Sequence, residues 1–146
     1  NVPVVMDEKG IEVKVIAGII NETSGLVRGI EANPTYLDVR LDEDTSFELE
    51  TPKGHSVFAY VFEGAASFGE EENGGSPLVE GPRLIVFEDG ELVRVKSSRE
   101  GARFLLISGK PLEEPIARYG PFVMNTREEI QEALTDLQRG TFVKSY

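Results

Sequence analysis

The sequence predicts an all-β protein, an antiparallel β-sandwich or barrel with a single α-helix at its C-terminal end. Three observations predict it. About eight to ten short runs either alternate apolar with polar side chains or are apolar throughout, and turns rich in Gly, Asn, Asp and Pro separate them. One run, from Ser56 to Glu63, is apolar on both faces, with Phe58, Tyr60 and Phe62 on one and Val57, Ala59 and Val61 on the other. That places a strand at the centre of the fold, covered on both sides. Beyond Met124 the spacing of apolar residues changes from two to that of a helix.

Taken in order, Asn1 to Gly10 reads as an extended lead-in that turns near Asp7-Glu8-Lys9-Gly10. Ile11 to Val15 alternates apolar with charged, a strand with one wet face. Ile16 to Ile20 runs on into a loop around Asn21 to Gly25. In Thr35 to Leu41 the inward set is Leu37, Val39 and Leu41, with Tyr36, Asp38 and Arg40 outward. Phe47 and Leu49 mark a short strand, and Pro52 to Gly54 turns into the central one, which Gly64 ends. Ala65 to Phe68 is the next strand, and Gly69 to Pro77 is a polar, solvated, Gly-rich loop. Arg83–Phe87 and Leu92–Val95 flank Asp89-Gly90, two residues that tolerate positive φ, so a hairpin is expected. Ala102 to Ser108 is a last two-sided apolar strand. Pro111 and Pro115 break regular structure before the helix. Asn125 or Thr126 supplies its N-cap, with Glu128 and Glu129 three places on. Ile130, Ala133, Leu134 and Leu137 form one stripe, expected to pack on the β-body, and Arg139 and Gly140 close a helix of about 126–139.

The 146 residues suit one domain, 1–146, with a real core and no internal repeat. The formal net charge of −11 argues against phosphate-based nucleic-acid binding and against docking on anionic membranes. Absent cysteine excludes disulfides, thiolate zinc sites and thiol catalysis, and fits a cytoplasmic protein. No apolar run approaches a membrane span. The chain opens on Asn1 rather than methionine, which reads as a processed chain or a piece of a longer one. No spacing of Ser, His and Asp makes a nucleophile elbow, and the loop around Glu72 to Gly75 is too acidic to cradle phosphate.

Two stretches carry a resemblance. Tyr119-Gly120-Pro121-Phe122-Val123-Met124-Asn125-Thr126-Arg127-Glu128-Glu129-Ile130, with Gly140-Thr141-Phe142 after it, closely resembles the C-terminal signature of the pirin family. Ala102 to Pro115 resembles the segment before it, and Tyr36-Leu37-Asp38-Val39 and Tyr60-Val61-Phe62-Glu63-Gly64 also match the second half of that family. The resemblance implies a cupin-type β-sandwich or barrel, with residues 1–10 similar to the linker between two tandem cupins. Pirins resemble iron-binding co-regulators in animals and quercetin dioxygenase-like enzymes in bacteria. The family's iron site, three histidines and a glutamate, sits in the N-terminal cupin, which this chain does not resemble.

A cupin metal site needs His-x-His, a nearby glutamate and a later histidine. Here His55 is the single histidine and Val57 stands two places on. Paired with Glu48, Glu50 or Glu63, His55 makes at best a weak oxygen-rich site. The expectation is therefore no catalytic, cofactor-binding or metal residue in this chain, with iron in a companion N-terminal cupin. Tyr119, Gly120, Pro121, Phe122, Asn125 and Thr126 are the signature and interface residues expected to face that cupin, or a second copy in a homodimer. The alternatives are a stand-alone cupin that holds a small molecule and a protein-interaction module, the latter implied by the co-regulator members.

Overall fold

The computed structural model describes residues 1–69 and 76–143. The larger part of the acidic Gly-rich loop, 70–75, lies outside the described residues. The chain divides into two compact units, Asn1–Pro111 and Leu112–Tyr146.

The first unit is built from β1 (Val4–Met6), β2 (Ile11–Ala17), β3 (Ile19–Ile20), β4 (Thr23–Ser24), β5 (Thr35–Leu41), β6 (Ser46–Glu50), β7 (Ser56–Phe68), β8 (Leu78–Glu80), β9 (Arg83–Val86) and β10 (Leu92–Gly109). Eight of these form one antiparallel sheet in the order β1-β2-β5-β10-β7-β8, with β6 on β10 and β9 on β7. The two long strands make this possible. β10 pairs β6 along Leu92–Lys96 and β5 along Ala102–Ser108, so the sheet curls around a single core. That core holds Val13 and Val15, Leu37, Val39 and Leu41, Phe47, Val57, Ala59 and Val61, and Phe104 and Leu106. Each set alternates along its strand, so burial follows the period of two in the sequence. Phe104 is fully buried and meets the rings of Phe47 and Phe68 edge-on, at centroid distances of 6.3 and 5.6 Å.

Gly64 does not end the central strand. β7 runs through it to Phe68, and Ala65 to Phe68 belongs to the same strand. Gly64 has φ 65°, and a Cβ there would collide with the Gly101 carbonyl oxygen. The pairing of β7 with β10 shifts register between Ser97 and Ala102, next to Gly101 at φ 74°. Two glycines thus let both long strands bend at one crossing. Inside the bend, the buried Ser97 hydroxyl donates to the Asp42 carbonyl at 2.5 Å and accepts from the Thr45 N–H at 2.9 Å.

The hairpin expected at Asp89-Gly90 does not form. β9 pairs with β7 and β10 with β6, because longer strands offer each a better partner. Asp89 instead accepts the Gly54 N–H at 2.7 Å, and Thr51 donates its N–H to Glu91 and its hydroxyl to Gly90. The segment after Ala17 forms a hairpin, β3–β4, turned by Asn21 and Glu22 at φ 44° and 67°. The second face of β7 is not fully covered: Phe58 and Phe62 are half-buried and Tyr60 is exposed. An antiparallel sheet can leave one face to solvent, and this one does.

In the second unit, β11 (Ala117–Tyr119) and β12 (Phe122–Met124) pair across Gly120-Pro121, where only a loop was expected. The helix α1 (Arg127–Arg139) lies against both strands. Thr126 is its N-cap: its hydroxyl accepts the Glu129 N–H at 3.2 Å, and Glu129 accepts the Thr126 N–H at 2.8 Å. Gly140, left-handed at φ 70°, closes the other end. Ile130 and Ala133 are buried and Leu134 half-buried, but Leu137 is 55% exposed, so the stripe is a turn shorter than expected.

Candidate functional site

The first unit opens to solvent between β2, the β3–β4 hairpin and β6, in a cavity of about 470 Å³. Ile11 and Val13 line it from β2, Ile20 from the hairpin, and Phe47 and Leu49 from β6. These side chains pack on or belong to the core, so the floor of the mouth is hydrocarbon. Glu48 and Glu50 lie on the other parity of β6, at the exposed rim. Glu48 is engaged by Arg94 at 2.9 Å. Asp7, also on the rim, accepts the N–H groups of Lys9 and Ile11 at 2.9 and 3.0 Å.

His55 stands just before β7, half-buried, with its N–H on the Pro52 carbonyl at 3.2 Å. Its Nδ1 is buried with no hydrogen-bond partner among the described residues. Glu63 is turned to Arg103 at 3.5 Å and Glu48 to Arg94. Among the described residues no group of three His, Cys, Asp or Glu side chains could hold a metal ion. The iron centre that the cupin fold implies does not fit here. Inward positions on β6 carry a phenyl ring and an isobutyl group, neither of which ligates, and among the described residues His55 belongs to no cluster of carboxylates that could hold a metal. No chemical step is derived through a metal in this chain.

The strongest polar arrangement lies on the outer face and was not singled out in the sequence. Arg103 grips Asp38 with two hydrogen bonds, Nε to Oδ1 at 2.9 Å and Nη2 to Oδ2 at 2.7 Å. Lys14 reaches the same carboxylate at 3.8 Å, and the guanidinium lies 5.1 Å from the Phe62 ring centroid. The Arg103 hydrogen bond holds the Asp38 carboxyl below its ordinary range against the opposing effect of burial, and Asp38 raises Arg103 in turn. Strand parity already put Asp38 outward; its meeting with Arg103 needed the β5–β10 register, which single-sequence patterning does not supply.

The signature residues gather in the second unit, where they shape the hairpin and cap the helix. Tyr119, Gly120, Pro121 and Phe122 form the β11–β12 turn, Gly120 at φ 54°. Phe122 meets Phe142 edge-on at 5.4 Å. Asn125 donates to Glu114 at 2.8 Å, and Thr126 caps α1. A groove of about 740 Å³ runs between hairpin and helix, lined by Ile116, Tyr119, Asn125, Arg127, Ile130 and Leu134. Tyr119 is exposed, as are Ile116 and Val123 beside it. No helix among the described residues is long and apolar enough to cross a membrane.

A family profile described as the pirin C-terminal cupin domain matches residues 36–143. Pirin-1 of Arabidopsis thaliana is 38% identical over 136 residues, which cover 90% of this chain and 46% of that protein. Pirin of Rattus norvegicus is 36% identical over 132 residues, covering 88% of this chain and 44% of that protein. A solved structure titled quercetin 2,3-dioxygenase, from Acinetobacter baumannii, superposes with a TM-score of 0.80 at 34% identity, over 97% of this chain and 47% of that one. The chain spans about half the length of the curated relatives it matches.

Proposed function

Since the chain belongs to the pirin family, through that family's C-terminal cupin domain, we propose that it is a cupin without a metal of its own which completes a companion cupin that carries iron. The observation that carries this reading is the mouth of the first unit. Phe47 and Leu49, the inward side chains of β6, line it with hydrocarbon that cannot ligate a metal, and His55 is the single histidine of the chain. A quercetin 2,3-dioxygenase-like activity of the whole protein then resides on the companion. This chain supports it in the cytoplasm, as a cysteine-free acidic domain suits a reducing compartment.

Each unit by itself offers apolar side chains to the companion, the first on its lead-in and the second on its hairpin. Val4 and Met6 are exposed, and so are Tyr119, Val123 and Ile116, the last at 80%. Such side chains do not close the chain's own core, and an apolar surface of this kind supports an interface. A second reading, a small-molecule binder, is favoured by the open cavity at the mouth, whose volume and apolar floor suit a compact ligand.

The test is oxygen uptake with quercetin. The tag-free chain, supplied with ferrous iron, is expected to give none, and to form a complex on size exclusion with the N-terminal cupin of the Acinetobacter baumannii relative. Turnover by the chain alone would overturn the proposal.

A further inference from the structure

On the outer face of the sheet, the register places side chains of four strands in two rows. One row is Val86 on β9, Phe58 on β7, Ile107 on β10 and Tyr36 on β5. The next is Leu84, Tyr60, Leu105 and Asp38 on the same strands. Their neighbours of opposite parity, Ala59, Leu106 and Leu37, are buried in the core, so these eight point away from it. The wet face of an antiparallel sheet ordinarily carries polar residues. Here Asp38 is the single charged member. Val86 is 74% exposed, Leu84 56% and Tyr60 39%, and the rest of the first row is half-buried.

We propose that this face is the surface on which a second copy of this chain docks as a two-fold dimer. The proposal deepens the reading above, that this cupin works against another cupin, and rests on it.

Charge selects the occupant. The chain carries −11 overall, yet the charges bordering the rows balance one another. Asp38 is held by Arg103 and Lys14, and Arg103 also meets Glu63. Glu12, 3.8 Å from Lys14, and Arg40, set between Glu12 and Arg103 by the register, complete a border of three negative and three positive groups, so a copy of this acidic chain meets no net charge there. A two-fold contact needs a self-complementary patch, which a neutral apolar face is. Size agrees. The exposed parts of the seven apolar side chains amount to roughly 400–500 Å², at the upper end of patches on monomers. With the polar border, the face approaches the roughly 800 Å² per partner of a standard interface. Two such faces meet as sheets do, about 10 Å apart.

The experiment is sedimentation velocity on the tag-free 146-residue chain, from low micromolar to near-millimolar concentration. The expected result is a dimer that Leu84→Glu with Val86→Glu converts to a monomer, and that Ile116→Glu with Val123→Glu leaves intact. A chain monomeric throughout, or a dimer that survives the Leu84 and Val86 changes, overturns the proposal. If the double variant does not fold, Val86→Cys decides: in a chain without other cysteines its maleimide labelling should slow as concentration rises, and an unchanged rate overturns the proposal. Failure here is separable from failure of the two-cupin reading. A metal-free, inactive monomer sinks only the docking face, whereas quercetin turnover by the chain sinks the reading on which it rests.

Discussion

Phe104→Ala is the substitution that the fold account weights most heavily. The ring is fully buried at the middle of β10 and touches Phe47 and Phe68 edge-to-face. Replacing it removes on the order of 120 Å² of buried apolar surface, about 3 kcal/mol at ~25 cal/mol/Å². The two lost ring contacts add roughly 0.5–1.5 kcal/mol each. The sum, about 4–6 kcal/mol, sits at or just above the usual range of about 3–5 kcal/mol for Phe→Ala in cores. Chemical denaturation at constant m-value measures it, with Leu84→Ala as control. Leu84 is on an outward position of β9 and should change stability by less than about 0.5 kcal/mol in the monomer. If Phe104→Ala costs less than about 1 kcal/mol, or the control costs as much, the assignment of inward and outward faces on the β7–β10 pair is wrong.

Gly64→Ala should cost about 2–5 kcal/mol and lower the melting temperature sharply, because a left-handed φ and a Cβ against the Gly101 carbonyl combine strain with overlap. Thr126→Ala removes the N-cap and should cost about 1 kcal/mol, read by thermal melts. Asp38 has a carboxyl pKa lowered by folding, so its contribution is present above its unfolded pKa near 3.9 and is lost as pH falls through the folded value. Asp38→Asn should therefore destabilise by about 1.5–3 kcal/mol at neutral pH and match the wild type in strong acid; a difference that persists at low pH contradicts the pairing with Arg103.

Much of the fold is legible because strands have a strict period. The strand Thr35–Leu41, the short strand around Phe47 and Leu49, and the buried sets on β2, β5 and β7 all follow from alternation. The capped helix is legible because Thr126, Glu129 and Gly140 are local signals. What patterning misses is pairing. Asp89-Gly90 is a sound hairpin signal, but β9 and β10 find longer partners, and that competition is non-local. Gly64 reads as a stop because its other use, a close crossing with Gly101, depends on a residue far along the chain. At the site, the lone His55 and the absence of a second ligand are plain in the sequence. That Phe47 and Leu49 line the mouth, and that Asp38 meets Arg103, required the register.

The central claim is that this cupin carries no metal and leaves iron to a companion. Elemental analysis of the tag-free chain, expressed in iron-supplemented medium, tests it most directly. The account predicts iron, nickel and zinc far below one equivalent, unchanged in His55→Ala. One equivalent of a metal, lost on that substitution, would contradict it.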